Sequence, residues 1–264
     1  RKPQIMNLIS GICKKAIQLN PSSTSIYIME LAYEKAMLCD YDSAMKSYRE
    51  AGRTDETNIA ALYGTIYSHI MLGELSNAEQ QLDFLVAISE SIEPSAHLPF
   101  LKALLAWRHL GDADKHANLL EQAEILHFKS MASYKASDTY EKLFLLNPDF
   151  LIQLAKEYIL HLQFAVKLMH AGKARAVGQS RAVRRGMDIL EHVSREAPGL
   201  VEPYLILAHT QFTLGEFEAA TRVVNIALNF DTRSAPVHLL AAQLALANGN
   251  TRGAGGACVA RYRV

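Results

Sequence analysis

Residues 201–231, VEPYLILAHTQFTLGEFEAATRVVNIALNFD, decide the fold of this chain. Tyr204, Leu207, Ala208 and Gln211 fall at i, i+3, i+4 and i+7, a spacing that puts four side chains on one side of an α-helix. Beyond Gly215, the residues Phe217, Ala220, Val224, Ala227 and Leu228 form a second stripe of the same period. A glycine suits the break, because helices commonly end in a left-handed residue that glycine adopts at little cost. Ala208, Ala220 and Ala227 are small, and two helices approach closely only where no long side chain intervenes. The stretch predicts a helix hairpin with a tight crossing.

The hairpin recurs upstream. Residues 25–55 give Ile28, Leu31 and Ala32, then Asp40-Tyr41, Ala44, Tyr48 and Ala51. From Ile59 the chain gives Leu62, Ile66, Gly73-Glu74-Leu75, Ala78, Leu82 and Leu85. These units start at Ser25 and Ile59, 34 residues apart, and a later pair starts at Val201 and Ala235, again 34 apart. That period, with a small residue in each helix and a Gly/Asp-aromatic turn, is the signature of the tetratricopeptide repeat (TPR). The expected fold is all-α, a tetratricopeptide-repeat right-handed superhelical solenoid. Its structural positions are Leu31, Ala32, Ala44, Tyr48, Ala51, Gly73, Ala78, Leu207, Ala208, Gly215, Ala220 and Ala227.

Around these hairpins the organisation varies. Residues 1–127 form a TPR array of one partial repeat and about three repeats; its opening helix is striped by Ile5, Leu8, Ile9, Ile12, Ala16 and Leu19. Residues 128–170 form a helical inter-repeat segment, with Tyr140, Leu143, Phe144 and Leu146 in a short helix and Asp149 capping a longer one. No acidic residue stands between Glu157 and Asp188, so 171–185 is expected to be a basic, exposed, flexible loop. Residues 186–250 return to a TPR array whose last repeat is incomplete. Residues 251–264 are an atypical Gly-rich tail, where each glycine costs a helix about 1 kcal/mol against alanine.

Composition excludes several functions. Twenty-seven basic residues balance 27 acidic ones, so no global field draws the chain to nucleic acid or an anionic membrane. Cys13, Cys39 and Cys258 are odd in number and widely spaced, which fits neither a disulfide framework nor a zinc site. Cys13 and Cys39 are expected as small core residues. No apolar run is long enough to span a bilayer and no secretory signal is present, so the chain reads as an internal piece of a longer cytosolic protein. The glycines near the C-terminus lack the Gly-Lys-Ser/Thr that holds phosphates, and no nucleophile elbow or His-Glu-x-x-His helix occurs. Asp112, Asp114 and His116 are expected as turn and cap residues. No catalytic residue, cofactor or metal site is expected.

Binding is therefore the function to look for. The first helix of each hairpin should line a concave surface, showing Ile26, Met29, Tyr33 and Ala36 in one unit and Ala60, Tyr63, Tyr67 and Ile70 in the next. Either the superhelix closes on this apolar stripe or a partner helix covers it, which makes Met29, Tyr33, Tyr63 and Tyr67 candidate partner-binding residues. Lys173, Arg175, Arg181, Arg184 and Arg185 form a second candidate surface, for an acidic partner; without interleaved aromatics it does not suit single-stranded nucleic acid. Co-chaperone-like adaptors of this fold hold a partner's C-terminal carboxylate with Lys, Asn and Arg at five positions. Those positions here are Met29, Tyr33, Gly64, Leu98 and Lys102, so only one carries charge. A general peptide-binding adaptor is the alternative reading.

Residues 73–85 (GELSNAEQQLDFL), 140–143 (YEKL) with 146–151 (LNPDFL), and 235–244 with HLLAAQ at 238–243 resemble the tetratricopeptide-repeat subunit of intraflagellar transport complex A, the tetratricopeptide repeat protein 21 family. In that family the NPDFL run lies between repeats, so it is more diagnostic than the repeats themselves. The resemblance covers most of 5–250. It implies a long all-helical scaffold without catalysis, partnered by other complex-A subunits. It also implies a role in tip-to-base ciliary transport and in bringing membrane receptors into cilia, with a place in the cytoplasm and in the cilium (axoneme and ciliary base).

Overall fold

A computed structural model describes residues 2–88, 94–135, 137–170 and 181–249. Among them there are thirteen α-helices and no strand. The helices are α1 Lys2–Leu19, α2 Thr24–Met37, α3 Tyr41–Thr54, α4 Ile59–Leu72, α5 Leu75–Ile88, α6 His97–Leu110 and α7 Ala113–Ser133. There follow α8 Thr139–Leu146, α9 Pro148–His170, α10 Arg181–Glu196, α11 Val201–Thr213, α12 Phe217–Phe230 and α13 Ala235–Ala247. The chain forms two compact units, Arg1–Phe128 and Lys129–Val264.

In the first unit α2 packs on α3, α4 on α5, and each hairpin leans on the next, with α2 against α4 and α4 against α6. This is the stacking that lets each repeat bury its apolar face on its neighbours. Ala32, Ala44, Ala51 and Ala78 are all at 0% exposure where the helices cross, Tyr48 is buried beside them, and Leu31 is half-buried. Ser25 ties three elements together: its Oγ donates to the carbonyl of Ala51 (3.1 Å) and accepts from the Asn58 amide (3.1 Å). Asn58 in turn caps α4, its side-chain oxygen accepting from the Ala61 N–H.

The hairpin turns share one backbone device. Gly73, Gly111 and Gly215 close α4, α6 and the α11 hairpin at φ of 79°, 65° and 81°. The α2–α3 turn uses Cys39 for the same purpose, at φ 62°. Cys13 is buried but Cys39 is exposed, which corrects its assignment to the core. A left-handed turn residue points its side chain away from the crossing, so Cys39 is a turn element.

The second unit holds two corrections. The cap of α9 is Asn147, not Asp149: the Asn147 side-chain oxygen accepts from the Phe150 N–H (3.3 Å), and Pro148 occupies the first helical position, where it has no N–H to lose. The loop expected over 171–185 gives way to helix at Arg181, and Arg181, Arg184 and Arg185 belong to the first turns of α10. Val183, Gly186, Ile189, Leu190 and Val193 make one buried stripe, and α10 packs on α9 along it. Gly186 permits the contact, since a Cβ there would lie 3.0 Å from the Ala155 carbonyl oxygen and 3.0 Å from the Tyr158 Cβ. Residues 171–180, with Lys173 and Arg175, and the Gly-rich 251–264 lie outside the described residues.

Farther along, Ala208, Ala220 and Ala227 are buried at the α11–α12 crossing with Leu207 beside them. They join Tyr204, Val224, Val237, Leu240 and Leu244 in a core that runs from α11 through α12 to α13, Leu207 excepted. The Tyr204 hydroxyl is satisfied by the Ser194 carbonyl at 3.0 Å, which fastens α11 to α10.

Candidate functional site: partner-binding surfaces

Three surfaces in the two units can meet a partner, and each is built from helix faces. The first is the aromatic stripe. Ile26 is 61% exposed and Tyr33 37%, and Ala60 is exposed. Met29 and Ala36 are half-buried against the α2–α3 core. Tyr67 lies edge-on to Tyr41, with ring centroids 6.1 Å apart, and Tyr63 meets His97 at 5.3 Å. Ile70, expected on this stripe, is 1% exposed and belongs to the core. At about 100° per residue, ten residues carry Ile70 about 80° round the helix from Ala60 and bring it onto the side of Ile66. The stripe is thus narrower than its sequence suggests.

The second surface is a groove of about 300 Å³ in the first unit, bordered by Tyr63, Leu98, Lys102, Leu119, Gln122 and Leu126. Lys102 is half-buried, and its side chain makes no hydrogen bond or ion pair with the described residues. Beside the Tyr63 ring, burial and then the nearby His127 push the His97 ring down to about 4. Gly64 adds a steric fact. A Cβ at that position would stand 2.5 Å from the Tyr48 ring, so the aromatic fills the space any side chain would need. The five-point carboxylate grip of peptide-binding adaptors therefore has no room for its second-repeat donor.

The third is a basic patch at the start of α10, where Arg181, Arg184, Arg185 and Asp188 border an open concavity of about 530 Å³. Arg184 and Asp188 are four residues apart on one helix face, so part of the patch's charge is balanced locally.

One polar cluster was not visible in the periodicity. His69 on α4 is 1% exposed; its Nδ1 lies 2.6 Å from Glu74 Oε2 and its Nε2 lies 2.9 Å from an Arg49 nitrogen. A guanidinium can only donate, so Nε2 accepts and the ring proton sits on Nδ1, donating to Glu74. Hydrogen bonds from His69 and then Asn77 hold the Glu74 carboxyl below its usual range. The relay joins α3, α4 and the turn before α5. Its one signal in sequence was a polar pair, Ser68-His69, inside an otherwise apolar helix. His116 likewise corrects its reading as a turn residue: it is at 0% exposure, stacked on Trp107 at 5.5 Å, while Asp112 alone caps the helix by accepting from the Lys115 N–H. Three residues with ligand-forming potential are thereby separated into cap, surface and core.

Residues 1–249 match the family model described as the second ARM domain of tetratricopeptide repeat protein 21. Human tetratricopeptide repeat protein 21B is 32% identical over 249 residues, 93% of this chain and 18% of that protein. Mouse tetratricopeptide repeat protein 21A is 33% identical over 253 residues, 95% of this chain and 18% of that protein. The chain spans less than a fifth of the length of these curated relatives. Among solved structures, a chain of the APC/C hetero-tetramer Cut9-Hcn1 aligns with a TM-score of 0.53 at 13% identity, over 98% of this chain and 46% of that one. The type IV pilus biogenesis factor PilW gives 0.50 at 18% identity, over 88% and 90%. These two likenesses carry the helical-repeat fold alone. The family match runs through the irregular segment 128–170 as well as the regular hairpins, and by it the chain belongs to the tetratricopeptide repeat protein 21 family.

Proposed function

We propose that this chain is a non-catalytic scaffold segment of intraflagellar transport complex A, active in the cytoplasm and the cilium. In this reading it supports tip-to-base transport and the passage of membrane receptors into cilia. The observation that carries it is membership of the tetratricopeptide repeat protein 21 family across residues 1–249. The helical repeats supply rigid spacing, and the aromatic stripe, the groove and the basic patch supply faces for other complex-A subunits. Neighbouring repeats hold each face on packed helices, so partners meet preformed surfaces with little ordering cost.

The test is affinity purification of the tagged chain from ciliated cells. Complex-A subunits recovered in near-equal amounts support the proposal. Recovery of general chaperones alone, from a chain whose circular-dichroism melt is cooperative, overturns it.

A further inference from the structure

We propose that the groove around Lys102 binds a partner segment that presents one Glu or Asp side chain between leucine-sized apolar residues. This goes beyond the scaffold reading and does not depend on which complex the chain serves.

Lys102 is half-buried and borders the groove, and its side chain has no hydrogen bond or ion pair with the described residues. An ammonium at the border of an apolar groove pairs best with an anion that arrives with its own apolar cover, because the pair is then partly shielded from water. The walls provide that cover: the Tyr63 ring, Leu85, Leu98, Leu119 and Leu126, with Ser95 and Gln122 as neutral polar groups. The volume, about 300 Å³, is at the lower end of the range typical of ligand pockets, about 300–1,000 Å³. It fits a few side chains of a bound segment and not a folded domain.

The shape of the charge selects the kind of carboxylate. A C-terminal carboxylate is held by several donors converging from successive repeats. Here Met29 and Leu98 offer none, Tyr33 offers a neutral hydroxyl and no charge, and the Tyr48 ring excludes any side chain at Gly64. A single ammonium in an apolar groove matches a single carboxylate carried between apolar neighbours. The lining residues come from four consecutive helices, α4 to α7, and all of them lie in the first unit.

The experiment is fluorescence anisotropy of this chain with labelled, end-blocked SALLELLAS, its Gln twin SALLQLLAS, its Lys twin SALLKLLAS, and unblocked SALLQLLAS with a free C-terminus. Saturable binding of the Glu peptide is expected, weakened at least tenfold in the Gln twin and at least tenfold by Lys102→Met. Lys102→Gln repeats the comparison should the Met variant fail to give a cooperative melt. Lys102→Glu should bind the Lys twin better than the Glu peptide. Equal affinity for the Glu and Gln peptides, or no loss on removing the ammonium, overturns the proposal, because Lys102 then merely reaches solvent. Absence of saturable binding up to millimolar peptide also overturns it. Preference for the free C-terminus replaces it with terminal-carboxylate recognition. None of these outcomes bears on recovery of complex-A subunits, so the two proposals fail separately.

Discussion

Two repeat junctions in this chain meet one packing requirement with opposite residues. Where α3 meets α4, Tyr48 packs its ring into the space left by Gly64. Where α12 meets α13, Val224 and Leu240 share a buried core. The positions correspond, since each pair lies 23 and 39 residues beyond the first residue of its unit, Ser25 or Val201. One junction places the bulk on the second helix of the hairpin; the other divides it between that helix and the next. What the repeat conserves at this site is the filled volume of the pair, which is why either residue alone looks atypical. Cores tolerate such exchanges when total volume is kept, and resist them one side at a time.

Gly64 is the more sensitive position of its pair. Gly64→Leu drives a side chain into the Tyr48 ring and should cost about 3 kcal/mol, the upper end of typical overpacking. Tyr48→Val alone leaves a cavity and should cost roughly 2 kcal/mol. Combined, the two changes install the pair used at the other junction and should recover most of the loss, within about 1 kcal/mol of the parent. Urea denaturation of the four proteins measures this coupling. Additive losses in the double variant would mean that the backbones differ at the two junctions and that volume exchange is not the rule.

A second contrast separates the units by acid sensitivity. The unit that starts at His97 places an imidazole where the unit that starts at Val201 has an aliphatic side chain. Burial, reinforced by His127, lowers the folded His97 to about 4, against an ordinary value of 6.5. Above pH 6.5 neither state is protonated and its contribution to stability is complete. Between pH 6.5 and about 4 the unfolded chain binds a proton that the folded chain refuses, so stability falls with pH, by roughly 2 kcal/mol at pH 4.5. Trp107, the chain's single tryptophan, reports from the same unit. Tryptophan-detected denaturation at pH 7 and pH 4.5 should show the loss, and His97→Val should remove it. An unchanged pH slope in that variant would assign the acid sensitivity to other groups.

The hairpins were legible from period alone, because small residues recur at 34-residue steps and the left-handed turns are mostly glycine. The start of α10 was not. Three arginines within five residues outweigh Val183 in any local reading, and Gly186 resembles a breaker until its closeness to the Ala155 carbonyl makes it a contact residue. Ile70 was misplaced because a stripe at steps of three and four drifts round the helix, and only the neighbouring hairpin settles which edge is covered. The relay through His69 needed three elements whose pairing no spacing rule reports. Of the groove, sequence supplied Lys102 as the one charge at a known position, but not the apolar walls around it, which come from four helices. Periodicity reports which face a helix buries; it is silent about what the facing element contributes.

The smallest contrast lies in the turns and isolates backbone conformation from packing. Gly215 and Cys39 occupy the same place in their hairpins, at φ of 81° and 62°. A Cβ at Gly215 would meet nothing within 4 Å, so Gly215→Ala changes no contact and costs only the left-handed backbone of an L-residue, about 1 kcal/mol. Cys39 already carries that cost, and its exposed thiol shares a hydrogen bond with the Tyr41 side chain. Cys39→Gly should stabilise the first unit by up to about 1 kcal/mol, less the exposed thiol's hydrogen bond to Tyr41 and the entropy that glycine adds to the unfolded chain. Opposite shifts in melting temperature are expected from the two variants under reducing conditions. A Cys39→Gly protein that melts lower than the parent would show that the thiol makes a contribution to the α2–α3 turn larger than the strain of its backbone.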